Sequence, residues 1–157
     1  MKFRERAVFF VATGFFIGTV PFAPGTFGSL IGLPLCFLLS RLNLLQSLIF
    51  ILVFILFAIG IASAAEKIIK QKDPGQIVID EIAGLMVTLA GLPFNLKTVI
   101  AGFIIFRVFD ILKPFPIRIL EKRVGGGSGI VLDDVLAGVY GNLLVRLVIS
   151  ITNFITF

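Results

Sequence analysis

Five acidic residues stand at the edges of apolar segments, where a charge is costly unless it is paired or bound to a cation. They are Asp80 and Glu81, then Asp110, then Asp133 and Asp134. Carboxylate oxygens gathered in one place suit a hard cation, for which Mg²⁺ is the natural choice. Such an ion could recruit a phosphate and activate a water molecule. The competing interpretation is that each acid caps a helix.

Two cations accompany the middle acid at regular spacing. Arg107, Asp110 and Lys113 recur every third residue, so a helix would carry them on one face. Asp110 could then be held by both cations, or it could bind a metal while the cations meet an anionic substrate. A local ladder of ion pairs, ended by Pro114 and Pro116, is the structural alternative.

A segment rich in glycine, proline and hydroxyl groups, residues 18–29, precedes an apolar run. Its two prolines and three glycines predict a loop leading into a helix. Gly25 would let the backbone approach a ligand, and Thr26 and Ser29 would lie at a positive helix end suited to phosphate. We therefore predict that these three residues bind substrate, with helix capping as the alternative.

Local signals also predict how the acids are presented. Asp73 followed by Pro74 is typical of a helix start, which would place Asp73 and Asp80 on one stripe. Four glycines within 125–129 predict a mobile or tightly turned approach to Asp133 and Asp134.

Some chemistries are excluded by composition. The chain has no histidine, so His-based triads and the usual zinc sites are closed to it. Its one cysteine, Cys36, lies in an apolar segment, which predicts neither an internal disulfide nor an exposed thiol nucleophile.

The elements that must position these residues are predicted to be membrane helices. Hydrophobic residues make up 58% of the 157 residues and charged residues only 15%. Residues 44–65 contain no charge and are long enough to cross roughly 30 Å of hydrocarbon. We predict one all-α domain, residues 1–157, forming a polytopic membrane helical bundle with crossings at 29–40, 44–65, 82–92, 98–112 and 135–152.

The net charge of +5 fits this topology. With the N-terminus in the cytoplasm, three of the 14 lysines and arginines fall outside, and the rest fall inside as the positive-inside rule expects. We therefore predict a membrane partner and no nucleic acid. The same threading brings all five acids to the cytoplasmic face, with the motif loops beside them.

Together the motifs carry a family resemblance. They read Gly18-Thr with Pro24-Gly-Thr and Gly28-Ser, then Ile77-Val-x-Asp-Glu81, then Phe106-Arg-x-x-Asp-x-x-Lys-Pro114, then Gly129-Ile-x-x-Asp-Asp-x-x-Ala-Gly138. In this order, from about residue 14 to residue 142, the sequence resembles the phosphatidylglycerophosphatase A family. Val131 stands where methionine is expected, an apolar exchange that affects no catalytic role.

The resemblance implies Mg²⁺-dependent hydrolysis of the terminal phosphate of phosphatidylglycerophosphate, a phospholipid substrate, at the cytoplasmic face of a bacterial inner membrane. It also implies a helical bundle around a central helix. Our hypothesis assigns catalysis to four of the motif acids, among which Glu81 acts as the base. It assigns metal binding to four acids, three of which are also in the catalytic set. It assigns substrate binding to the two motif cations. The catalytic set is Asp80, Glu81, Asp110 and Asp134; the metal set is Asp80, Asp110, Asp133 and Asp134; the cations are Arg107 and Lys113.

Two questions stay open at the level of sequence. A covalent aspartyl phosphate competes with direct attack by water. A small membrane transporter or channel with an acidic ion site competes with the enzyme, although it predicts charges at the membrane midplane and an internal repeat. Oligomeric state is not predicted.

Overall fold

The regular structure of the chain is helical, as predicted. A computed structural model describes residues 2–155, and this range contains seven α-helices and one 3₁₀ turn with no strand. The α-helices are α1 (Phe3–Ala12), α2 (Pro24–Leu39), α3 (Leu44–Ile69), α4 (Ile79–Leu89), α5 (Leu96–Leu112), α6 (Ile117–Arg123) and α7 (Gly126–Ile155), and the 3₁₀ turn is Ile17–Thr19.

Two helices, α3 and α7, are long and apolar enough to cross a membrane, over Leu44–Ile69 and Gly126–Thr152. Helix α2 is a shorter apolar helix. The crossings predicted at 29–40, 82–92 and 98–112 coincide with α2, α4 and α5, whose passage through a membrane stays a prediction.

Side chains and prolines fix where several of these helices begin. Asn43 accepts a hydrogen bond from the Gln46 N–H at 2.9 Å, and Asn95 accepts one from the Thr98 N–H at 3.0 Å. Each pairs an amide that a helix start would leave without a partner. Pro24 occupies the first turn of α2, where its missing N–H costs nothing.

Helix α4 is the central helix that the resemblance implied. Nine of its eleven residues are buried, and α2, α3, α5 and α7 all pack against it. It runs parallel to α7, because Gly84 lies against Asp134 near one end and Thr88 lies against Gly141 nearer the other. A side chain carried by α4 therefore faces other helices rather than the surroundings.

The glycines at 125–129 include the tight turn that was predicted, but it is short: only residues 124 and 125 separate α6 from α7, and Gly126 has a φ of +68°. Helix α7 already begins at Gly126, and a Cβ on Gly127 would lie 2.3 Å from the Ser63 backbone nitrogen of α3. Glycine is needed there for close helix packing rather than for a turn. Asp133 and Asp134 consequently lie two turns inside α7 and are not helix caps.

Two predicted helix starts also differ from the structure. Asp73 and Pro74 do not open α4, which begins at Ile79; Asp73 has a φ of +46°, and the buried stretch 77–78 leads into the helix. Helix α2 begins at Pro24, so Gly25 to Ser29 are helical rather than part of a loop. Tertiary contacts override the local signal at Val78, whose N–H donates to the Ala12 carbonyl at 2.9 Å.

Candidate active site

Three of the predicted acids meet in the interior of the bundle. Asp80 and Glu81 are carried by the first turn of α4, and Asp134 is carried by α7. One carboxylate oxygen from each residue lies within 4.8 Å of the other two. The parallel packing of α4 on α7 therefore joins acids that are more than 50 positions apart in the sequence.

Each of these carboxylates has an oxygen without a partner. Asp80 Oδ1, Glu81 Oε2 and Asp134 Oδ2 are buried and accept no hydrogen bond from the residues that the structure describes. Buried polar atoms are nearly always paired, because a lost partner leaves their desolvation uncompensated. Three neighbouring carboxylates, each with an unpaired oxygen, fit a hard divalent cation such as Mg²⁺.

The pKa values of the two acids at the start of α4 are also shifted by their burial. Burial raises the pKa of Asp80 well above its usual range, and the neighbouring Glu81 raises it further. Burial also raises the pKa of Glu81 to about 8, although a hydrogen bond with Asp80 and the charge of Arg107 oppose this increase. A cation placed among these groups would favour their ionised forms.

The two other predicted acids are held by cations. Arg107 Nη1 lies 2.6 Å from Asp110 Oδ2, and Lys113 Nζ lies 2.6 Å from Asp133 Oδ2. Asp133 Oδ1 also accepts the Asp134 N–H at 3.1 Å. The sequence left open that both cations hold Asp110, but the structure pairs Lys113 with Asp133 on α7 instead. Lys113 directly follows α5 and has a left-handed backbone conformation.

Gly25 joins the glycine-rich segment to this cluster. A Cβ built on Gly25 would lie 2.3 Å from Glu81 Oε1 and 2.9 Å from Arg107 Nη1. The carboxylate of one motif and the guanidinium of another therefore press against the backbone at the start of α2. A side chain at this position would displace one of them.

The hydroxyl residues of that segment differ in what they can offer. Ser29 is fully buried, and its hydroxyl donates to the Gly25 carbonyl at 2.8 Å. Thr26 is half-buried, while its N–H donates to the Ala23 carbonyl at 3.0 Å. The Ser29 hydroxyl thus supports the backbone at Gly25, and substrate binding by Gly25, Thr26 and Ser29 stays a prediction.

A polar pair at the far end of α4 was missed from the sequence. Asn142 and Arg146 of α7 donate hydrogen bonds to the last carbonyl groups of α4. Their spacing of four residues within an apolar helix could have signalled one shared face. Polar residues inside an apolar helix usually have a partner or a function.

Similarity to known proteins is extensive. The family model described as Phosphatidylglycerophosphatase A matches residues 10–149. The Escherichia coli protein named Phosphatidylglycerophosphatase A is 39% identical over 130 residues, which cover 82% of this chain and 76% of that protein. The Haemophilus influenzae protein of the same name is 40% identical over 137 residues, covering 86% and 84%.

A third relative has a different name. A Bacteroides thetaiotaomicron protein, provisionally named a phosphatidylinositol-3-phosphatase, is 42% identical over 144 residues, covering 86% of this chain and 89% of that protein. No solved structure matches the chain. These similarities favour a phosphatase and do not favour the transporter or channel that the sequence left open.

Proposed function

Because the chain belongs to the phosphatidylglycerophosphatase A family and is a phosphoric monoester hydrolase, we propose that it removes the terminal phosphate of phosphatidylglycerophosphate. The products are phosphatidylglycerol and phosphate. The observation that carries this proposal is the group of three buried carboxylates, each with an unpaired oxygen, on α4 and α7.

We propose that the reaction depends on Mg²⁺. Asp80 and Asp134 would hold the ion between α4 and α7, with Glu81 beside it. When bound, the ion supplies positive charge for the phosphate oxygens and lowers the pKa of a coordinated water. Asp110 and Asp133, also predicted as ligands, are held by Arg107 and Lys113, and would have to exchange those partners to bind the ion directly.

Glu81 is the residue best suited to take the proton from the attacking water. Its Oε2 is unpaired, and its pKa of about 8 lies near neutral pH, where a base is effective. Glu81 is also the neighbour of Asp80 on the first turn of α4, which places it beside the proposed metal ligands. As the water oxygen bonds to phosphorus and the phosphorus–oxygen bond to the lipid breaks, Glu81 would take the proton from water, and that proton would then pass to the departing lipid oxygen to give the alcohol.

Arg107 and the start of α2 would hold the phosphate. Arg107 Nε is buried and has no hydrogen-bond partner among the described residues, so a donor is free to meet a phosphate oxygen. Gly25 places the positive end of α2 against the same guanidinium. Lys113, paired with Asp133, adds positive charge nearby and limits repulsion between Asp133 and the substrate.

We propose a multi-pass arrangement in the cytoplasmic membrane of a bacterium, with the site facing the cytoplasm. It is supported by the apolar lengths of α3 and α7 and by the distribution of lysine and arginine. In a variant with Cys36 replaced by alanine, cysteines introduced singly at Lys72 and Lys97 test the orientation. Labelling of position 72 only after the cytoplasmic side is exposed, and of position 97 from outside, is expected; the reverse pattern contradicts the proposal.

The substrate proposal is tested with purified protein in detergent. Phosphate release is measured from phosphatidylglycerophosphate and from phosphatidylinositol 3-phosphate, each with Mg²⁺ and with EDTA. We expect Mg²⁺-dependent release from the first lipid at least about tenfold faster than from the second, which corresponds to 1.4 kcal/mol of discrimination. Equal or faster release from the inositol lipid would contradict the proposed substrate.

A further inference from the structure

The carbonyl end of α4 is held by one side chain of α7. Asn142 Nδ2 donates to the Thr88 and Ala90 carbonyls at 2.9 Å each, and to the Val87 carbonyl at 3.3 Å. The last carbonyl groups of a helix have no partner within that helix. Where no water is at hand, a neighbouring side chain must supply one.

Arg146 completes this contact one turn further along α7. Its Nη2 donates to the Ala90 carbonyl at 2.9 Å and to the Gly91 carbonyl at 3.3 Å. Its Nε donates to Asn142 Oδ1 at 2.8 Å, which fixes the orientation of the amide. A cation at the carbonyl end also favours the helix dipole.

Between this contact and the acids, α4 and α7 meet through glycines. A Cβ on Gly138 would lie 2.4 Å from the Gly84 carbonyl oxygen, so the two backbones touch directly. The side chains next to this contact are small: Val87 lies 3.0 Å from a Cβ built on Gly138, and Thr88 lies 3.0 Å from one built on Gly141. Hydrogen bonds are directional, so the bonds from Asn142 and Arg146 fix the axial position of α4 on α7 more sharply than these apolar contacts do.

The polar contact and the acids lie along one stripe of α7. Asp134, Gly138 and Asn142 follow one another at intervals of four residues, so they share a helix face. Asp134 and Asn142 are about 12 Å apart along the axis. Asn142 is thus hydrogen-bonded to the carbonyl end of α4, while Asp134 lies near Asp80 at the other end.

We propose that Asn142 and Arg146 are positioning residues that hold α4 in register with α7 and so set the spacing between Asp80 and Asp134. This inference rests on the proposed function, since the acids are taken to hold Mg²⁺ together. A slip of one residue along the axis would move Asp80 by about 1.5 Å relative to Asp134. Loss of the contact should therefore weaken metal binding even in protein that remains folded.

The experiment compares Mg²⁺ titrations of five proteins. These are the unaltered chain, Asn142→Asp, Arg146→Met, Arg146→Lys and a control, Asn43→Ala, which removes a helix cap of α3 near the same end of α4 but none of the hydrogen bonds to its carbonyl groups. Asn142→Asp keeps the size of the side chain but replaces its donor group with an acceptor. Two quantities are measured for each protein: the Mg²⁺ concentration that gives half-maximal phosphate release, and the one that gives half of the metal-induced rise in Tm.

For Asn142→Asp we expect both half-saturating concentrations to rise about tenfold or more, the scale seen when groups that orient metal ligands are removed. Arg146→Met should give a smaller rise, because Asn142 still reaches the carbonyls, and Arg146→Lys should recover part of it. Asn43→Ala should lower the Tm while leaving both concentrations unchanged. If Asn142→Asp does not fold, the positioning role is tested by the half-saturating Mg²⁺ concentrations of Arg146→Met, Arg146→Lys and Asn43→Ala.

Other results would overturn the inference. If the unaltered chain responds to Mg²⁺ and the Asn142 and Arg146 variants keep its half-saturating concentrations, the pair only stabilises the fold and the positioning role is wrong. The same holds if Asn43→Ala raises those concentrations equally. If the unaltered chain shows neither Mg²⁺-dependent release nor a metal-induced rise in Tm, the proposed function fails and the positioning role fails with it.

Discussion

The two ends of helix α4 contrast in how their polar groups are satisfied. At the carbonyl end, Asn142 and Arg146 donate hydrogen bonds to four carbonyl groups, which are those of Val87, Thr88, Ala90 and Gly91. At the amide end, Asp80 and Glu81 each retain a buried oxygen with no hydrogen-bond partner among the described residues. Both ends pack against the same helix, α7, yet the more exposed carbonyl end is the one whose polar groups are paired, since Arg146 and Gly91 are exposed while Asp80 is buried.

This contrast separates structure from function within one element. A helix end that serves only the fold is expected to pair its polar groups, because each unpaired group lowers stability. Unpaired charges kept next to one another are destabilising unless a ligand binds them. The carboxylate end of α4 therefore has the features of a site, and the carbonyl end has those of its support.

The largest expected effect is at the carboxylate end. Asp80→Asn removes one charge from the group that faces Asp134 and should lower phosphate release by on the order of 10³-fold, as removal of a principal catalytic group does. The Tm without metal should not fall, because a buried like-charge contact is relieved. Glu5→Gln, at the start of α1, is the matched control, and a similar loss of rate in that variant would count against the site.

A smaller but still large effect is expected at Gly25. Gly25→Ala places a methyl group where Glu81 Oε1 and Arg107 now lie, so it should lower kcat by about 10²-fold through misplacement of these groups. Gly60→Ala is the control, since a Cβ on Gly60 has no atom within 4 Å. Steady-state kinetics of the two variants decide: equal activities would show that the contact with Gly25 is unimportant.

Arg107→Lys should produce an effect of about tenfold on kcat/KM. Lysine keeps the charge near Asp110 but loses the forked donors, and one charge-assisted hydrogen bond to phosphate is worth roughly that factor. Lys97→Met, a change of an exposed cation at the other end of α5, is the control. An unaltered kcat/KM for Arg107→Lys would mean that Arg107 serves Asp110 alone.

The smallest expected effect concerns pH and stability without metal. A carboxyl group whose pKa is raised in the folded protein favours folding while it is protonated, so stability falls as pH rises from the unfolded to the folded pKa. For Glu81, with a folded pKa of about 8, the Tm in EDTA should fall between about pH 5 and pH 8. Mg²⁺ should reduce this decline, and a Tm that rises over this range in EDTA would contradict the account.

The elements that the sequence predicted well are those with an uninterrupted apolar pattern. Helix α3 was expected over 44–65 and extends to Ile69, with Asn43 as its cap. Helix α5 ends at Leu112, just before the prolines that were expected to stop it. In these segments the local pattern and the tertiary packing favour the same structure.

The predictions from glycine and proline were incomplete or wrong where these residues take part in helix packing. Gly127 is helical because α7 must touch the backbone of α3, which no local signal shows. Pro74 does not start α4, because Asp73 before it has a φ of +46° and the Val78 N–H donates to the Ala12 carbonyl of α1. Local propensity could not reveal contacts between distant parts of the chain.

The candidate site was predicted in its residue types but not in its pairings. The five acids and two cations were all identified, since charge in an apolar sequence is conspicuous. Which acid meets which cation depends on the rotation of each helix, and the left-handed backbone at Lys113 directs that residue to Asp133. The role of Gly25 as a contact for two motifs likewise needs three-dimensional information.

The most direct test of the central claim is phosphate release from phosphatidylglycerophosphate by the unaltered chain and by Asp134→Asn, each titrated with Mg²⁺ and compared in Tm. The account predicts release that requires Mg²⁺ in the unaltered chain, loss of nearly all release in Asp134→Asn, and loss of the metal-induced rise in Tm in the same variant. Equal Mg²⁺-dependent release and an equal rise in Tm from both proteins would show that α4 and α7 share no metal site.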